Sequence, residues 1–492
     1  MDTDATPRGL PPDCLDELAR LLPAGALITG AEALRPYECD GLTVYRRLPA
    51  AVALPGDVAQ VCAVLRCCHR HGVPVIPRGA GTGLSGGALP RPDALVLGLA
   101  RLDRILRIDP ANRIAVVEPG VRNLQVSEAA APHGLFYAPD PSSQIACTVG
   151  GNVAENSGGV HCVKYGLTRH NVLGVRIATA EGELLEIGGP VLESPGMDLL
   201  SLVVGSEGML GVVVEVTLRL LPRPPARGVL LMAFADAEAA ARTVADIFAA
   251  GLLPAGLEMM DRLAIRAAED YVHAGYPTDA GALLLCEVDG TAGEVAEQAD
   301  RVAALARARG AVSVQVAHGE AERERLWAGR KAAFPAVGRL APDYYCMDGT
   351  LPRARLPEVL ARIAALSERY GLPVANVFHA GDGNLHPLIL YDADRPGELE
   401  RVERMGAEIL RACIEAGGTI TGEHGVGVEK LGGMCEQFRP AELEQMHAVK
   451  AAFDPGGRLN PGKAVPTLHR CAELGAMHVH HGRLPFPDLE RF

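Results

Sequence analysis

A glycine-rich segment that runs directly into prolines is the feature that most limits how this chain can fold. Residues 78–87 read RGAGTGLSGG, in which Gly81, Gly83 and Gly86 match the G-x-G-x-x-G pattern of dinucleotide-binding proteins. That pattern needs a helix at its end, whereas residues 88–92 read ALPRP and their prolines forbid one. The sequence therefore excludes a Rossmann site. It predicts either a helix-free loop whose backbone N–H groups hold an anion or a plain wide turn.

Two further stretches of small residues lie in the same part of the chain. Residues 148–159 read TVGGNVAENSGG and residues 205–211 read GSEGMLG, which precedes an apolar strand. Both offer a backbone that a ligand can approach closely. Each stretch alone fits many folds, but three in one region indicate a long ligand lying across a domain, and an adenine dinucleotide has that length.

Charge and composition argue against a nucleic-acid partner. The chain has 492 residues, with 47 Lys and Arg against 60 Asp and Glu, and 47 − 60 gives a net charge of −13. Aromatic residues make up only 4% of the chain. Gripping a phosphate backbone needs cations, and stacking on bases needs aromatic rings, so neither mode of nucleic-acid binding is expected.

Membrane, export and disulfide signals are weak in this sequence. No apolar run approaches the ~18 residues that a spanning helix needs. The first residues, MDTDATPRGLPPD, do not have the order of a signal peptide. The 12 cysteines are too sparse for a disulfide scaffold, and no two stand three residues apart as in iron–sulfur motifs. We therefore predict a cytoplasmic protein without a membrane span and with buried free thiols. If the protein performs redox chemistry, its electrons must leave through something other than an iron–sulfur cluster of its own.

Hydrophobic patterning predicts an α+β fold. Short β-rich runs punctuate residues 51–225, at 73–77, 94–99, 114–118, 172–179 and 210–220. A proline cluster at 222–225 is typical of a linker. Beyond it, helical patterns at 235–250, 293–309, 357–370 and 396–416 alternate with strand-like runs at 229–234, 282–288 and 374–391.

A histidine hairpin is the most specific geometric signal. Residues 376–387 read NVFHAGDGNLHP, and Asp-Gly between apolar runs indicates a tight turn. If Asp382 and Gly383 form a two-residue loop, His379 and His386 stand directly opposite each other, with Cβ atoms ~5 Å apart. The two imidazoles could close on one metal or simply pack together. Pro387, which cannot donate to a ladder, predicts a sheet edge or a bend.

A second segment could complete a metal site. Residues 419–427 read TITGEHGVG, where Glu423 and His424 are adjacent in a glycine-flanked turn and can point in opposite directions. Glu423 could join the two hairpin histidines in a two-His, one-carboxylate set with open positions. His424 would then be free to act as a general base.

Six motifs together resemble the FAD-linked oxidases with a p-cresol methylhydroxylase type (PCMH-type) flavin domain. Within that superfamily the chain is similar to the 2-hydroxy acid dehydrogenases, especially the FAD-binding subunits of bacterial glycolate oxidases. The resemblance covers roughly residues 20–492. The motifs that carry it are PRGAGTGLSGGALP (77–90), TVGGNVAENSGGVHCVKYG (148–166), GSEGMLG (205–211), HAGDGNLHPLI (379–389), GEHGVG (422–427) and LNPGK (459–463).

The resemblance implies a two-part PCMH-type FAD-binding domain joined to an α+β cap domain that contains an antiparallel sheet. The implied boundaries are an N-terminal segment at 1–47, the FAD domain at 48–225, the substrate or cap domain at 226–420, a C-terminal return at 421–466 and a tail at 467–492. Four histidines in the tail could form a metal site, or belong to a solvated or docking tail.

The resemblance also implies noncovalent FAD, with its pyrophosphate on the first glycine loop and its isoalloxazine ring near residues 150–159. The residues expected to hold it are Pro77, Arg78, Gly79, Ala80, Gly81, Thr82, Gly83, Gly86, Asp140, Thr148, Gly150, Gly151, Asn152, Ser157, Gly158, Gly159, Glu207, Gly211, Val213 and Asn460.

Catalytic roles follow from the same family. His379, His386 and Glu423 match its ligands for a divalent metal, zinc first, with iron or manganese as alternatives. His424 matches its catalytic base. Arg330 matches an arginine that binds the substrate carboxylate. Relatives acting on 2-hydroxyglutarate have a lysine where this chain has Cys346.

The relatives that act on 2-hydroxyglutarate also have an asparagine where this chain has Leu388. Both departures indicate a short monocarboxylate such as glycolate or D-lactate. The resemblance further implies a hetero-oligomer with a second flavin-type subunit and an iron–sulfur subunit, which would bring the chain to the inner face of the cell membrane. A stand-alone flavin D-lactate dehydrogenase and a mainly scaffolding flavin subunit remain as alternatives.

Overall fold

The computed structural model describes residues 9–192 and 196–466. The predicted C-terminal tail and its histidines lie outside the described residues. The α+β prediction is confirmed, since helices and largely antiparallel sheets alternate along the chain. The strands and long helices expected from the sequence are all present, each with ends within three residues of the predicted ones.

The described residues up to 225 form the part of the chain where the sequence predicts flavin binding, called the flavin-binding half below. Its first sheet is small and mixed. The helices Pro12–Leu21 and Val58–His71 pack on it and bury Cys14, Leu18 and Leu65 in a shared core. The short helices Ala31–Leu34 and Arg35–Tyr37 connect the N-terminal segment to it. Its strands, in spatial order, are Leu27–Ile28, Ala51–Ala53, Leu95–Gly98 and Val75–Arg78.

The second sheet of this half has five antiparallel strands. In spatial order they are Ile105–Asp109, Ile114–Val117, Val212–Arg219, Val172–Ala178 and Leu184–Gly188. A two-stranded ribbon joins Leu135–Phe136 to Leu221–Pro222, at the proline cluster where the chain passes to the cap. The helices around this sheet are Asn123–Ala130, Ala131–His133, Val149–Glu155, Cys162–Tyr165, Thr168–Asn171 and Leu200–Val203.

A seven-stranded antiparallel sheet forms the cap. Along the strand Ala226–Phe234, Leu230 and Met232 point into one apolar core while Val229 and Leu231 point into another, because successive side chains alternate across a strand. Both faces are therefore covered. The strands, in spatial order, are Ser313–Val316, Ala226–Phe234, Ala282–Gly290, Gly256–Asp261, Val374–Phe378, Pro387–Tyr391 and Asp343–Cys346.

Helices cover the cap sheet on its two faces. One face receives Ala237–Ala249, Ala292–Ala308, Leu356–Tyr370 and Glu398–Glu415. The other receives Arg262–Val272, Glu320–Lys331 and Ala333–Val337. A single turn, Arg353–Arg355, precedes the helix that begins at Leu356.

The C-terminal segment returns from the cap to the first sheet. After helices Leu431–Gln437 and Pro440–Phe453, Leu459 forms a parallel bridge with Val75 on the edge strand, and Asn460 N–H donates to Val75 O at 2.8 Å. This return fixes the segment that carries Glu423 and His424 against the flavin-binding half.

The predicted register of the histidine hairpin is wrong by two residues. His379 bridges Asn384, so the loop spans four residues, 380–383. His386 lies two residues beyond Asn384 in the direction of the opposite strand. The longer turn closes because Gly383 takes a φ of +82° and donates its N–H to His379 O at 3.1 Å. The two histidines still share a face of the sheet, because a shift of two residues preserves side-chain alternation.

The expectation of a sheet edge at Pro387 is also wrong. Pro387 is the first residue of a strand that lies between two others. That position tolerates proline because a strand's first residue need not donate to the ladder. Its carbonyl still accepts a hydrogen bond from Met347 N–H at 3.1 Å.

Candidate functional site

A cavity of about 480 Å³ lies where the flavin-binding half, the cap and the C-terminal return meet. Sixteen of the twenty residues expected to hold a cofactor line it. They are Pro77, Arg78, Gly79, Ala80, Gly81, Thr82, Gly83, Thr148, Gly150, Gly151, Asn152, Ser157, Glu207, Gly211, Val213 and Asn460.

The other four expected residues lie behind the cavity wall. Gly86 packs on Val428, whose Cγ2 would stand 2.5 Å from a Cβ at that position. A Cβ on Gly158 would stand 2.7 Å from Glu423 Oε2. Gly159 and Asp140 pack on each other. Gly158 is thus packed against Glu423, which lines the cavity.

The glycine loop presents backbone to the cavity. A Cβ on Gly79 would stand 2.3 Å from Thr148 Oγ1, so the first and second small-residue stretches approach each other more closely than a side chain would permit. Gly81 has a φ of +70°, which favours glycine. No helix follows the loop before the strand Leu95–Gly98, as expected from the prolines. The loop therefore offers the backbone N–H surface that a phosphate group would need.

Two of the lining residues also hold the halves together. The buried Glu207 carboxylate accepts the Val426 and Gly427 N–H groups, each at 2.7 Å. The Asn460 side chain donates to Glu207 O at 2.6 Å and to Gly87 O at 3.1 Å. These bonds fix the turn that carries His424 to the cofactor half.

The three residues predicted as metal ligands converge at one end of the cavity. Glu423 Oε1 lies 3.2 Å from His379 Nε2 and 3.0 Å from His386 Nε2. Ligands held ~2.0–2.1 Å from a tetrahedral metal stand about 3.4 Å apart, so the spacing suits one cation. All three side chains are nearly buried. The positive charge and hydrogen bond of His379 outweigh burial, which alone would raise the Glu423 pKa, and hold that pKa well below its usual range.

Two buried carboxylates that the sequence analysis missed orient this group. Glu258, on the strand Gly256–Asp261, accepts from His379 Nδ1 at 2.8 Å, which leaves Nε2 directed at Glu423. Asp348 accepts the N–H groups of residues 422, 423 and 424 at 2.9–3.2 Å. An ionisable residue inside an apolar run, GLEMMD or YCMDG, was the available signal.

His424 lies beside the triad and lines the cavity. Its ring stacks on that of His386, with centroids 4.9 Å apart and planes 7° from parallel. Among the described residues its Nδ1 has no hydrogen-bond partner. Burial lowers the His424 pKa to about 4, against the opposing effect of Asp348, so the ring is neutral near pH 7. A neutral imidazole with an unpaired nitrogen is chemically suited to accept a proton.

Arg330 does not line the cavity. Its side chain is buried, and Nη2 stands 2.6 Å from Glu258 Oε2. That contact lacks hydrogen-bond alignment, and within the described part of the chain Nε and Nη2 find no acceptor. The cavity wall is formed instead by Lys331, Phe334 and Pro335, which directly follow Arg330.

Asp140 contributes to a polar contact between the two halves. It pairs with His161 Nδ1 at 2.7 Å, and His161 Nε2 faces Glu287 of the cap sheet at 3.4 Å. Trp327 Nε1 donates to the same Glu287 at 2.7 Å. Burial would lower the His161 pKa, but Asp140 and Glu287 together raise it to about 10.

Comparison with known proteins identifies the family. Residues 49–188 match the model described as "FAD binding domain", and residues 223–464 match "FAD linked oxidases, C-terminal domain". The chain is 62% identical to glycolate oxidase subunit GlcD of Escherichia coli K12, covering 94% of this chain and 92% of the relative. The chain belongs to the FAD-linked oxidases. It is an FAD-dependent oxidoreductase.

Two further comparisons, one of sequence and one of structure, bear on the family and on the fold. D-lactate dehydrogenase of Archaeoglobus fulgidus is 34% identical, with 92% of this chain and 99% of the relative covered. The crystal structure of substrate-bound p-cresol methylhydroxylase superposes with a TM-score of 0.78 at 18% identity, covering 94% of this chain and 99% of that one. The second likeness confirms the PCMH-type fold. In residues 9–192 and 196–466, none of the helices has the length and apolar character required to cross a membrane.

Proposed function

We propose that this FAD-linked oxidase converts a short 2-hydroxy acid, glycolate above all, to the 2-oxo acid. The observation that carries the proposal is the meeting of the His379, His386 and Glu423 group with an unpaired neutral His424 at one end of the flavin cavity. The likeness to a glycolate oxidase subunit supports the substrate class.

FAD fits the cavity because backbone from three small-residue stretches forms its wall. When bound, FAD supplies the acceptor for the hydride that leaves C2 of the substrate. The chain's part is to hold the substrate so that its C2–H bond faces the flavin ring, and to exclude water at the junction of cap and flavin-binding half.

A divalent cation fits the nitrogen and carboxylate group by spacing and chemistry. Zinc is our first choice, and iron or manganese would also suit a two-His, one-carboxylate set. When bound, the cation would lower the pKa of the substrate hydroxyl. Glu258 keeps the His379 Nε2 directed at the site, while Glu423 is held as a carboxylate.

His424 is proposed to take the proton of the substrate hydroxyl. It is buried, neutral and fixed by the turn whose N–H groups bind Asp348. Arg330 is proposed to bind the substrate carboxylate. Its buried Nε lacks an acceptor among the described residues while Nη2 is ion-paired with Glu258, and an anionic ligand would supply a further partner. Reaching the substrate would require Arg330 to turn away from Glu258.

Two buried apolar residues near the histidines support a short substrate. Cys346 and Leu388 face each other across neighbouring strands and are both buried. Cys346 Sγ lies within 4.8 Å of nitrogen atoms of His386 and His424. Neither residue lines the cavity, and neither would offer a charged partner to a distal carboxylate that reached it, which would then be desolvated without compensation. Glycolate and D-lactate avoid that cost, and the likeness to a D-lactate dehydrogenase makes D-lactate the second candidate.

The reduced flavin must pass its electrons on. We propose that they go to partner subunits, a second flavin-type subunit and an iron–sulfur subunit, because the sequence has no iron–sulfur spacing of its own. The E. coli relative is itself named a subunit, which supports an assembly. A stand-alone D-lactate dehydrogenase would instead turn over artificial acceptors without partners.

Anaerobic flavin reduction tests the proposal. The purified chain should lose its visible flavin absorption on addition of glycolate or D-lactate, and not with D-2-hydroxyglutarate. His424→Gln should retain FAD and metal but reduce flavin at least a hundredfold more slowly, the usual contribution of a general base. His379→Ala should lose the metal, measured by elemental analysis. His447→Gln, a histidine outside the cavity lining, serves as the matched control. Wild-type rates in His424→Gln would refute the base, and a flavin that stays oxidised with every acid would refute the substrate class.

A further inference from the structure

A cluster of thiols and other ligand side chains lies between two helices of the flavin-binding half. Cys14 and Glu17 lie one turn apart on the helix Pro12–Leu21, and Cys67 and His71 lie one turn apart on the helix Val58–His71. Residues three or four apart share a helix face, so each helix turns two ligand side chains towards the other. None of the four lines the flavin cavity.

We propose that Cys14, Glu17, Cys67 and His71 form a second metal site, selective for zinc or another thiolate-binding divalent cation. Cys14 Sγ and Cys67 Sγ are 3.8 Å apart. Two thiolates held ~2.3 Å from a tetrahedral zinc stand about 3.8 Å apart. The sulfur atoms already have the separation that such a site requires.

The other two side chains match the same geometry. His71 Nε2 and Glu17 Oε2 are 3.2 Å apart, close to the ~3.4 Å expected for nitrogen and oxygen ligands of one zinc. The ligand atoms of Glu17, Cys67 and His71 all lie within 4.8 Å of one another. Cys14 Sγ joins this group through Cys67, and rotation of the Glu17 and His71 side chains towards Cys14 would bring all four ligand atoms around one cation.

Burial divides the cluster into a dry side and an entry side. Cys14 and Cys67 are fully buried, whereas the side chains of Glu17 and His71 are 26% and 24% exposed. A cation could therefore enter past the carboxylate and the imidazole and reach the thiols. Arg70 pairs with the other oxygen of Glu17, so this carboxylate keeps Oε2 towards His71.

The site would connect two helices that pack through an apolar core and meet through Glu17 and through the Cys14–Cys67 contacts. The helix Val58–His71 ends at Gly72, and the strand Val75–Arg78 that follows leads into the glycine loop. A metal at its last turn would attach the N-terminal helix to the base of that loop. We therefore expect the metal to stabilise the flavin-binding half without taking part in oxidation.

Cobalt spectroscopy distinguishes this site from the His379 group, which contains no sulfur. The FAD-bound full chain is stripped with a chelator under reducing conditions and titrated with Co²⁺. Tetrahedral thiolate–cobalt absorbs to the red of oxidised flavin, so new bands should appear, and in His379→Ala, where this site alone remains, they should saturate at one equivalent. They should disappear in the Cys14→Ser, Cys67→Ser double variant and persist in His379→Ala. Cys62→Ser, a buried thiol on the same helix, is the matched control.

Zinc and activity give the second measurement. In the His379→Ala background, which lacks the first site, zinc should raise the thermal midpoint by several degrees when Cys14 and Cys67 are present and leave it unchanged when both are serine. With His379 intact and zinc present, the double variant should reduce flavin with glycolate within twofold of the wild-type rate. Absence of the cobalt bands from a wild type whose thiols titrate as free would overturn the proposal. A Cys14–Cys67 disulfide in protein purified under reductant would also overturn it, since the pair would then be a redox dithiol.

Discussion

Replacing Asp348 with asparagine tests whether one buried carboxylate organises residues 422–424, the turn at the proposed active site, called the active-site turn below. Asp348 is fully buried and accepts three successive backbone N–H groups, those of Gly422, Glu423 and His424. Hydrogen bonds to a charged group contribute ~1 kcal/mol more than neutral ones, so three of them put the loss near 3 kcal/mol. The asparagine N–H₂ would also face the Glu423 N–H group or displace it. We expect Glu423 and His424 to lose their positions together.

The single tryptophan makes the loss in the free energy of unfolding measurable. Trp327 lies in the cap, so its fluorescence reports cap unfolding in urea. Asp348→Asn should lower the unfolding midpoint, lose bound metal and slow anaerobic flavin reduction at least tenfold, while FAD content stays near that of the wild type. Asp343→Asn is the matched control, because in the described part of the chain Asp343 accepts a single backbone N–H group, from Ala393. A variant with an unchanged midpoint, full metal content and a rate within twofold of wild type would refute the reasoning.

Two other perturbations test the contacts around the site. Gly158→Ala should displace Glu423, whose Oε2 would stand 2.7 Å from the new Cβ, so metal content and flavin reduction should both fall at least tenfold; full metal occupancy would contradict this. His161 should make stability depend on pH. Burial opposes its charge, but Asp140 and Glu287 raise its pKa from 6.5 to about 10, so its stabilisation is complete below about pH 6.5 and is lost as the pH rises through about 10. The urea midpoint of the wild type should fall over that range more than the midpoint of His161→Gln, and equal slopes would contradict the assignment.

Local patterns in the sequence predict much of this fold. Proline after the glycine loop excludes a helix there whatever the tertiary context, because the ring removes a donor and clashes with the preceding turn. Alternating and helical periodicity locates the strands and the long helices of the cap, because burial on one face leaves that record in the chain. The adjacent Glu423 and His424 indicate chemistry because few structural roles need both in a glycine-flanked turn.

Details that depend on contacts between distant parts of the chain could not be predicted from the sequence. The hairpin register follows from a four-residue turn closed by Gly383 and from the strand Asp343–Cys346 pairing on the far side of Pro387. No local pattern specifies either. Arg330, on the helix Glu320–Lys331, lies against Glu258 of the strand Gly256–Asp261, so its orientation follows from how that helix packs on the cap sheet.

The sequence by itself therefore determined the class of fold and the helix-free glycine loop, and it pointed to the residues proposed as metal ligands, since these follow from side-chain chemistry and from short-range backbone limits. Only the tertiary structure decided which carboxylates orient His379 and the active-site turn, and that Cys14 meets Cys67 across two helices. Such contacts join residues far apart in the chain. Their geometry is set by the packing of sheets and helices, and a linear pattern carries no record of it.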